Sequence, residues 1–407
     1  MATLQRERVS RYFLMCLLSS VSMFFVVGLY DKFLTKILLI FCIIFWLAYL
    51  IAVYSYNFVK RIVQPSILNK PYLIFILACL ISVVFSVNPY QSQQIIFSRY
   101  LIYFCMFEIA LTLVTASRRS LPVISVAILF SSVIYSLGAI IDYNAYRPDR
   151  LFSSWGINIP FGMFAMYLVY FVPFAYGFFL YSPALWQRLA ASLIALLSLP
   201  GLIWQLSRNA WIAIFTTLVI MSFHIKKHLA VLIFVIAVGS VIVVPAFRNR
   251  IMLMCNPVSG WGDRIPEWEA GVRIFLDHPV TGAGPGMYEQ LMFNYKQKYP
   301  HIEGTRNQHC HNTYLEVLSE TGIIGLCAFV YIFIVFFRSA YSYLKIRSSR
   351  RGEFETTALI SLNGSILCTL IFALGGSVIL IGISEPLMFW CFMGMACGIL
   401  NRKDEHG

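Results

Sequence analysis

The chain has 407 residues, of which 59% are hydrophobic and 12% are charged, and its mean hydropathy is +0.75. A soluble domain of this length carries about twice that share of charged residues, so the composition excludes an ordinary soluble enzyme. It predicts an all-α polytopic membrane protein, because a helix satisfies its own backbone hydrogen bonds in lipid.

Twelve apolar segments follow one another along the chain, each with the length of a membrane-crossing helix. They cover residues 11–30, 33–56, 71–88, 96–116, 121–141, 160–181, 189–206, 209–224, 229–246, 313–337, 356–381 and 385–401. Arg6, Arg8 and Arg11 precede the first segment, which lacks a small-residue cleavage site, so we expect an uncleaved anchor. Residues 1–246 therefore hold nine transmembrane helices, 247–312 a large loop, and 313–407 three more helices and a short tail.

The formal net charge of +13 is divided unevenly between the two sides of the membrane. With a cytoplasmic N-terminus, short inside loops hold more than half of the basic residues and the outside turn at 89–95 holds none, as the positive-inside rule requires. This distribution argues against nucleic acid as a partner. Basic residues outside cluster at 142–159, at Arg208 and in the large loop. They predict a polyanionic ligand on that face.

The 247–312 loop contains two predicted amphipathic helices, at about 265–278 and 287–299, joined by a glycine-rich turn at 281–286. We expect them to lie at the outer interface and to form a partly walled cavity over the membrane core. In the first helix, Glu269 and Arg273 form an i,i+4 pair. Its predicted apolar face consists of Ile265, Trp268, Val272 and Phe275.

Most of the ten cysteines lie in apolar segments, where free thiols act as small hydrophobic groups. Cys255 and Cys310 differ, because both lie in the outside loop near its two ends. A disulfide between them would suit an oxidising compartment. The spacing leaves the disulfide and two free thiols as open alternatives.

His311 and Asn312 are followed by nine residues and then by Gly322-Ile-Ile-Gly325. If a helix begins near Asn312, His311 lies at its N-terminus, where the helix dipole keeps the imidazole neutral and able to accept a proton. Gly322 and Gly325 would allow another helix to approach closely. The alternative is a histidine that only caps a loop. We expect His309 on the loop surface, and neither His278 nor His301 has support as a site residue.

Two arginines on the same outside face are candidates for anion binding. Arg208 stands in a tight turn, Leu206-Ser-Arg-Asn-Ala-Trp211, and a guanidinium fork suits phosphate. Arg264 stands at the start of the first loop helix, and a helix N-terminus with an arginine binds anions. The alternatives are a lipid headgroup for Arg208 and neutralisation of Arg264 by Asp263.

Further candidates are weaker. Arg147 and Arg150 are second-rank substrate-binding residues, since Asp149 could pair with either. Glu108 is an intramembrane carboxylate, either functional or hydrogen-bonded within the bundle, and it lies on the cytoplasmic side. No cluster of metal ligands, phosphate-binding loop or nucleophile elbow is present in the sequence, so no metal or cofactor is predicted. Two arginines and a neutral histidine suit transfer from a lipid diphosphate.

These residues resemble the O-antigen ligase family, the WaaL-type enzymes of Gram-negative inner membranes. His311, Asn312, Gly322 and Gly325 meet the family motif His-[Asn/Ser/Gln]-x9-Gly-x-x-Gly. The two family arginines match Arg208, in its Ser-Arg context, and Arg264, which leads into the tryptophan-containing loop helix. The resemblance covers essentially the whole chain, and it is more specific for the ligase/polymerase superfamily than for a ligase.

The resemblance implies a metal-independent, inverting glycosyltransferase with a GT-C-like architecture and its active site on the periplasmic face. The donor would be undecaprenyl-diphosphate-linked O-antigen, and the acceptor would be the terminal sugar of lipid A-core. Arg208 and Arg264 would bind the diphosphate, and His311 would deprotonate or orient the acceptor hydroxyl. Asn312, Arg147 and Arg150 would also contact substrate. Both termini would be cytoplasmic.

Three other functions stay open. An O-antigen polymerase or a protein O-oligosaccharyltransferase would use the same donor with another acceptor, although the latter family carries an added C-terminal region. A transporter of lipid-linked sugars would line a midplane cavity with charges or broken helices. The charges here gather on one outer face, and only Glu108 favours transport.

Overall fold

The computed structural model describes residues 2–28, 32–144, 150–151, 159–204, 207–223, 227–243, 245, 248–249, 252, 264–298, 309–346 and 353–402. These residues are almost entirely helical. The α-helices are α1 (Ala2–Val26), α2 (Lys32–Tyr54), α3 (Asn69–Val84), α4 (Pro89–Ile95), α5 (Leu101–Ala116), α6 (Ser120–Asn144), α7 (Phe161–Tyr181), α8 (Leu185–Trp204), α9 (Arg208–Phe223), α10 (Lys227–Val243), α11 (Arg264–Asp277), α12 (Tyr288–Lys298), α13 (Thr313–Ile346), α14 (Phe354–Phe372) and α15 (Ser384–Asn401).

Three short elements complete the described chain. A 3₁₀-helix covers Ser55–Arg61, and a π-helical turn at Ile96–Tyr100 joins α4 to α5. Two two-residue strands, β1 (Arg150–Leu151) and β2 (Ile159–Pro160), pair antiparallel with Arg150 opposite Pro160. The all-α prediction is confirmed for the described part of the chain, apart from this short hairpin.

Each of the twelve predicted apolar segments contains a helix. Within the described residues, six helices are long and apolar enough to cross a membrane. They are Gln5–Val26, Lys32–Tyr54, Pro89–Ala116, Ser120–Leu137, Thr313–Ile346 and Phe354–Phe372. The helical membrane protein is thus confirmed, whereas twelve crossings and a GT-C-like architecture stay predictions.

Two of the last three helices differ from their predicted bounds. Helix α13 continues past residue 337 to Ile346, and α14 ends at Phe372 instead of continuing to 381. The amide of Thr313 bonds to the carbonyl oxygens of Ala373 (2.9 Å) and Gly376 (3.2 Å). Residues 373–383 therefore form a non-helical segment that covers the start of α13.

Small residues allow the helices of the bundle to pack closely. A methyl group added to Gly394 of α15 would lie 2.2 Å from the Phe107 carbonyl oxygen of α5. At the end of α15, Arg402 donates to the carbonyl oxygens of Val114 and Ser117 and pairs with Glu355. These contacts bring the last residues of α5 and α15 together with the first turn of α14, at the end of the bundle away from α11 and α12.

Glu108 is buried near that same end of the bundle. Its Oε2 atom accepts a hydrogen bond from the Gln64 amide at 2.9 Å. Of the two alternatives for this carboxylate, the hydrogen bond within the bundle is observed. Glu108 is therefore remote from the loop that carries His311.

Helix α13 is interrupted at Gly322, whose φ of 66° and ψ of −169° lie outside the helical region. Residues 279–284 fill the interruption. The amides of Ala283 and Gly284 donate to the carbonyl oxygens of Ser319 (3.0 Å) and Glu320 (2.8 Å), and the Ile323 amide donates to Pro279 O (3.0 Å). Gly322 thus admits a loop backbone, and the predicted close approach of another helix is wrong at this position.

Helices α11 and α12 confirm the two predicted loop helices, and they share a small core with residues 283, 287 and 310. Of the predicted apolar face of α11, Ile265 and Val272 are exposed, whereas Trp268 packs against the small core. The buried face consists of Glu267, Ala270, Gly271 and Ile274. A methyl group on Gly271 would lie 2.9 Å from Leu315 Cγ, so small residues bring α11 against α13. The predicted Glu269–Arg273 pair is present at 2.6 Å.

Replacement of Gly322 should destabilise the protein. In Gly322→Ala the new Cβ would lie 2.2 Å from Val280 O, and φ is positive. We expect a loss of about 2 kcal/mol or more in the free energy of unfolding, measured as a lower melting temperature in detergent. Gly239→Ala is the control, because no atom lies within 4 Å of its added methyl group. Equal melting temperatures for both variants would contradict the role of Gly322.

Candidate functional site

Three helix N-termini meet at residues 372–376. Asn209 in the first turn of α9 donates from Nδ2 to Phe372 O at 2.6 Å. A methyl group added to Gly375 would lie 2.9 Å from Asn209 Oδ1 and 3.0 Å from Arg264 Nη1 of α11. Helix α13 joins them through the bonds of Thr313 to Ala373 and Gly376. Helix N-termini carry partial positive charge, so their convergence favours a bound anion.

Arg208 and Arg264, each the first residue of its helix, come together at this junction. The pKa of Arg264 is lowered, first because the guanidinium is half-buried and then because the Arg208 charge is close, while Glu267 acts in the opposite direction. Two neighbouring guanidinium groups repel each other, and an anion between them relieves the repulsion. The two predicted arginines are thus brought to one place.

His311 lies next to this pair. Its φ of 50° is left-handed, which is uncommon for a residue with a side chain and is found at functional sites. Burial, the Arg264 charge and His309 lower the pKa of His311 to about 4. The imidazole is therefore neutral at pH 7, as the sequence predicts, although burial and not the helix dipole is the largest cause.

Asn312 and Thr313 fix the position of His311. Asn312 Oδ1 accepts hydrogen bonds from the amides of Tyr314 and Leu315, both at 3.1 Å, and so caps α13. The Thr313 hydroxyl donates to Gly376 O at 2.9 Å. Asn312 therefore has a structural role that the prediction of substrate contact does not include. Gly325 faces its own helix, because a methyl group there would lie 1.9 Å from Thr321 Oγ1.

An apolar groove of about 470 Å³ runs between α9 and α10 and begins at Arg208. Its walls include Trp211, Phe215, Phe234 and Val241. Much of α10 is exposed and apolar. A molecule with an anionic head and a long apolar chain fits this combination of a guanidinium and a lipid-facing groove.

His309 is half-buried, and its Nδ1 atom lies 3.7 Å from Glu316 Oε1. The expected position on the loop surface is therefore wrong. Together with Arg99, Glu289 and Glu320 it lines a cavity. The sequence analysis missed Arg99, Glu316 and Glu320. The signal was present, because ionisable residues within apolar segments indicate functional positions.

Several predicted residues have no described environment. Arg147, Cys255, Asp263 and His301 lie outside the described residues, and Arg150 is described only through its backbone in β1. Cys310 is a free thiol buried against α11 and α12, so of the two alternatives for this cysteine the free thiol is observed. Among the residues that the structure describes, no group of three or more His, Cys, Asp or Glu side chains could hold a metal ion.

His311 should stay neutral across the physiological pH range. With a pKa of about 4, its ring resonances in histidine-labelled protein should not shift between pH 8 and pH 5.5. Arg264→Gln removes a positive charge and should raise the pKa of His311, which stays below 6.5 because burial persists. The His311→Asn variant lacks this ring, so the resonance that is missing from its spectrum is that of His311. A wild-type midpoint near 6.5 would contradict the arrangement.

Comparison with known proteins gives one match, to a protein family. No curated protein matches the chain. The model of the family described as O-antigen ligase matches residues 193–330, a segment that holds Arg208, Arg264 and His311. This family covers ligases and polymerases of polysaccharide assembly. The match confirms the resemblance to the O-antigen ligase family over residues 193–330, whereas the resemblance of the rest of the chain stays a prediction.

Proposed function

We propose that this protein is an O-antigen ligase. It transfers O-antigen polysaccharide from undecaprenyl diphosphate to the terminal sugar of lipid A-core. The observation that carries the proposal is the pair Arg208 and Arg264 at three helix N-termini, with an apolar groove leading away from Arg208. A polyprenyl chain would lie in the groove, and its diphosphate would bind the two guanidinium groups.

The reaction is a single displacement that inverts the anomeric carbon. The acceptor hydroxyl oxygen bonds to that carbon while the bond from the carbon to the phosphate oxygen breaks. The electron pair stays on the diphosphate, where Arg208 and Arg264 stabilise the added charge. His311, neutral and adjacent to Arg264, orients the reacting groups or accepts the hydroxyl proton. No metal ion or cofactor takes part.

The site would face the periplasm from the bacterial inner membrane, with all twelve helical segments crossing in a GT-C-like architecture. The positive-inside distribution supports cytoplasmic termini. Arg402 and Glu355, at the bundle end opposite the arginine pair, fit this orientation. Arg147 and Arg150 would approach the saccharide from the 142–159 loop.

An O-antigen polymerase is the second candidate, because the matching family covers both activities. Its donor site would be the same and its acceptor would be a second lipid-linked chain. The alternative of a protein acceptor, and that of transport, gain no support from the residues around His311. Deletion of the gene separates ligase from polymerase. Core-only lipopolysaccharide with polymerised lipid-linked O-antigen indicates a ligase, whereas core with one repeat indicates a polymerase.

Arg264→Ala and His311→Ala should each abolish long O-antigen on lipopolysaccharide while the protein stays in the membrane. The measurement is a lipopolysaccharide gel of the deletion strain complemented with each variant, with an immunoblot of the membrane fraction. Arg273→Ala is the matched control, because Arg273 lies on the same helix and its pair with Glu269 is partly exposed. Smooth lipopolysaccharide in both site variants would refute the assignment.

Filling the groove should weaken donor binding. Ala237 lines the groove on α10, and Ala237→Trp should raise the donor concentration needed for half-maximal transfer about tenfold or more, because the polyprenyl chain loses contact area. Leu232→Trp on the exposed face of the same helix should leave it unchanged. Transfer by purified protein with a titrated lipid donor measures the difference. An unaltered donor dependence in Ala237→Trp would remove the groove from the donor site.

A further inference from the structure

A second polar space lies at the same end of the bundle as His311. It is a cavity of about 60 Å³ lined by residues from six parts of the chain. They include Gln91 of α4, Arg99 of the π-helical turn, Glu289 of α12, His309 before α13, and Glu316 and Glu320 of α13. A volume of this size holds a few water molecules, and thus a hydroxyl-bearing edge of a sugar ring.

Two of the carboxylates are buried, since Glu316 is 4% exposed and Glu320 is 7% exposed. Each has defined partners, as buried charges require. Glu320 Oε1 accepts a hydrogen bond from the Tyr288 amide at 3.2 Å. Glu316 Oε2 accepts one from the Ser377 hydroxyl, and its Oε1 atom faces His309 Nδ1 at 3.7 Å. The cavity is therefore a fixed set of polar groups.

The Glu316–His309 contact determines what the imidazole can do. A carboxylate opposite Nδ1 favours the tautomer with its hydrogen on Nδ1, which leaves Nε2 as the proton acceptor. The same carboxylate stabilises the imidazolium once Nε2 is protonated. For His311, the largest charge effect among the described residues comes from the Arg264 cation, which disfavours the imidazolium.

The two sides of this loop differ in the charge of the side chains around them. Arg208 and Arg264 lie toward His311, whereas Glu289, Glu316 and Glu320 surround the cavity beside His309, where Arg99 is the balancing cation. Glu289 and Glu316 repel a diphosphate, and the acidic side chains of the cavity accept hydrogen bonds from hydroxyl groups. The cavity thus suits the acceptor sugar and excludes the donor head group.

We propose that this cavity receives the acceptor sugar and that His309, held by Glu316, takes the proton of the attacking hydroxyl. The inference rests on the proposed glycosyl transfer. As the oxygen bonds to the anomeric carbon, its proton passes to His309 Nε2 and the leaving electron pair stays on the diphosphate. Glu316 is a positioning residue that acts through His309. His311 stays neutral beside the arginines and orients the diphosphate.

The pH profile of transfer tests this assignment. The charged or titratable groups around His309 are Glu316, Glu289, Glu320, Arg99 and His311. Glu316 and Glu289 raise the pKa of His309, with the polar contact to Glu316 as the largest cause, whereas burial and Arg99 lower it. The net effect is a pKa above 6.5. A base must be neutral, so transfer should fall as pH drops through that raised pKa. In Glu316→Gln the pKa of His309 should be lower, so the acid limb of the profile, where the transfer rate falls with decreasing pH, should move to lower pH.

The experiment uses the full chain in vesicles with lipid-linked O-antigen and lipid A-core. His309→Asn should lower the transfer rate about 100-fold or more, the contribution of a general base, without changing the affinity for the lipid diphosphate. Glu316→Asp should restore part of the rate lost in Glu316→Gln. Glu269→Gln, on the far side of α11, should leave the acid limb in place.

The outcomes separate this inference from the function on which it rests. A His309→Asn rate within about twofold of wild type, or an acid limb unmoved in Glu316→Gln, overturns the role of the cavity even when Arg264→Ala and His311→Ala are inactive. An acid limb near pH 4 that disappears in His311→Asn assigns the base to His311 and also overturns it. No transfer by the wild-type protein overturns both proposals.

Discussion

At Gly322 the backbone of α13 leaves the helical region, and the peptide groups freed there bond to residues 279–284. A buried peptide group without a hydrogen-bond partner is unfavourable. The interrupted helix therefore needs the docked loop to satisfy its peptide groups, and the loop can dock only where the helix is interrupted. A methyl group on Gly282 would lie 2.3 Å from Glu320 O, so the docking also requires a glycine on the loop side. Helices α11 and α12 flank that loop, and their position on α13 follows from it. Arg264 and His311 therefore approach each other because a transmembrane helix is broken eleven residues after the histidine.

Much of this arrangement could be predicted from the sequence. Apolar length located a helix in every predicted segment, and the glycine-rich turn at 281–286 located the connection between α11 and α12. The site arginines and His311 were found because their residue types match anion and proton chemistry at a membrane boundary. The side of α11 that packs against the protein was not predicted, because it consists of Glu267 and small residues beside Ile274, while apolar residues of an interfacial helix can face lipid. The Gly322 break could not be foreseen, because its partner is a loop about forty residues away in the chain.

Three charged residues of the cavity were not predicted from the sequence, and the physical reason is the same for all of them. Arg99, Glu316 and Glu320 lie in segments whose average hydropathy is high, and averaging conceals single charges. Their burial is tolerated because Arg99 offsets part of the negative charge and because Ser377 and Tyr288 donate hydrogen bonds. Such compensation depends on contacts between α13, α12 and residues 373–383, which no local pattern encodes. A single charged residue in an apolar segment thus indicates a site even when all the residues around it are apolar.

The positions of the two groups of charges also orient the donor and the acceptor relative to each other in the proposed transfer. An inverting displacement needs the attacking oxygen and the leaving oxygen on opposite sides of the anomeric carbon. Charge interactions run in order from Arg208 to Arg264, His311, His309 and Glu316, so the diphosphate and the acceptor hydroxyl would lie at opposite ends of this series. A diphosphate bound to the arginines would also add negative charge beside His311 and raise its lowered pKa. The donor would thereby strengthen the hydrogen bond of His311 to its own phosphate, and the carboxylate-held His309 would remain the base for the acceptor.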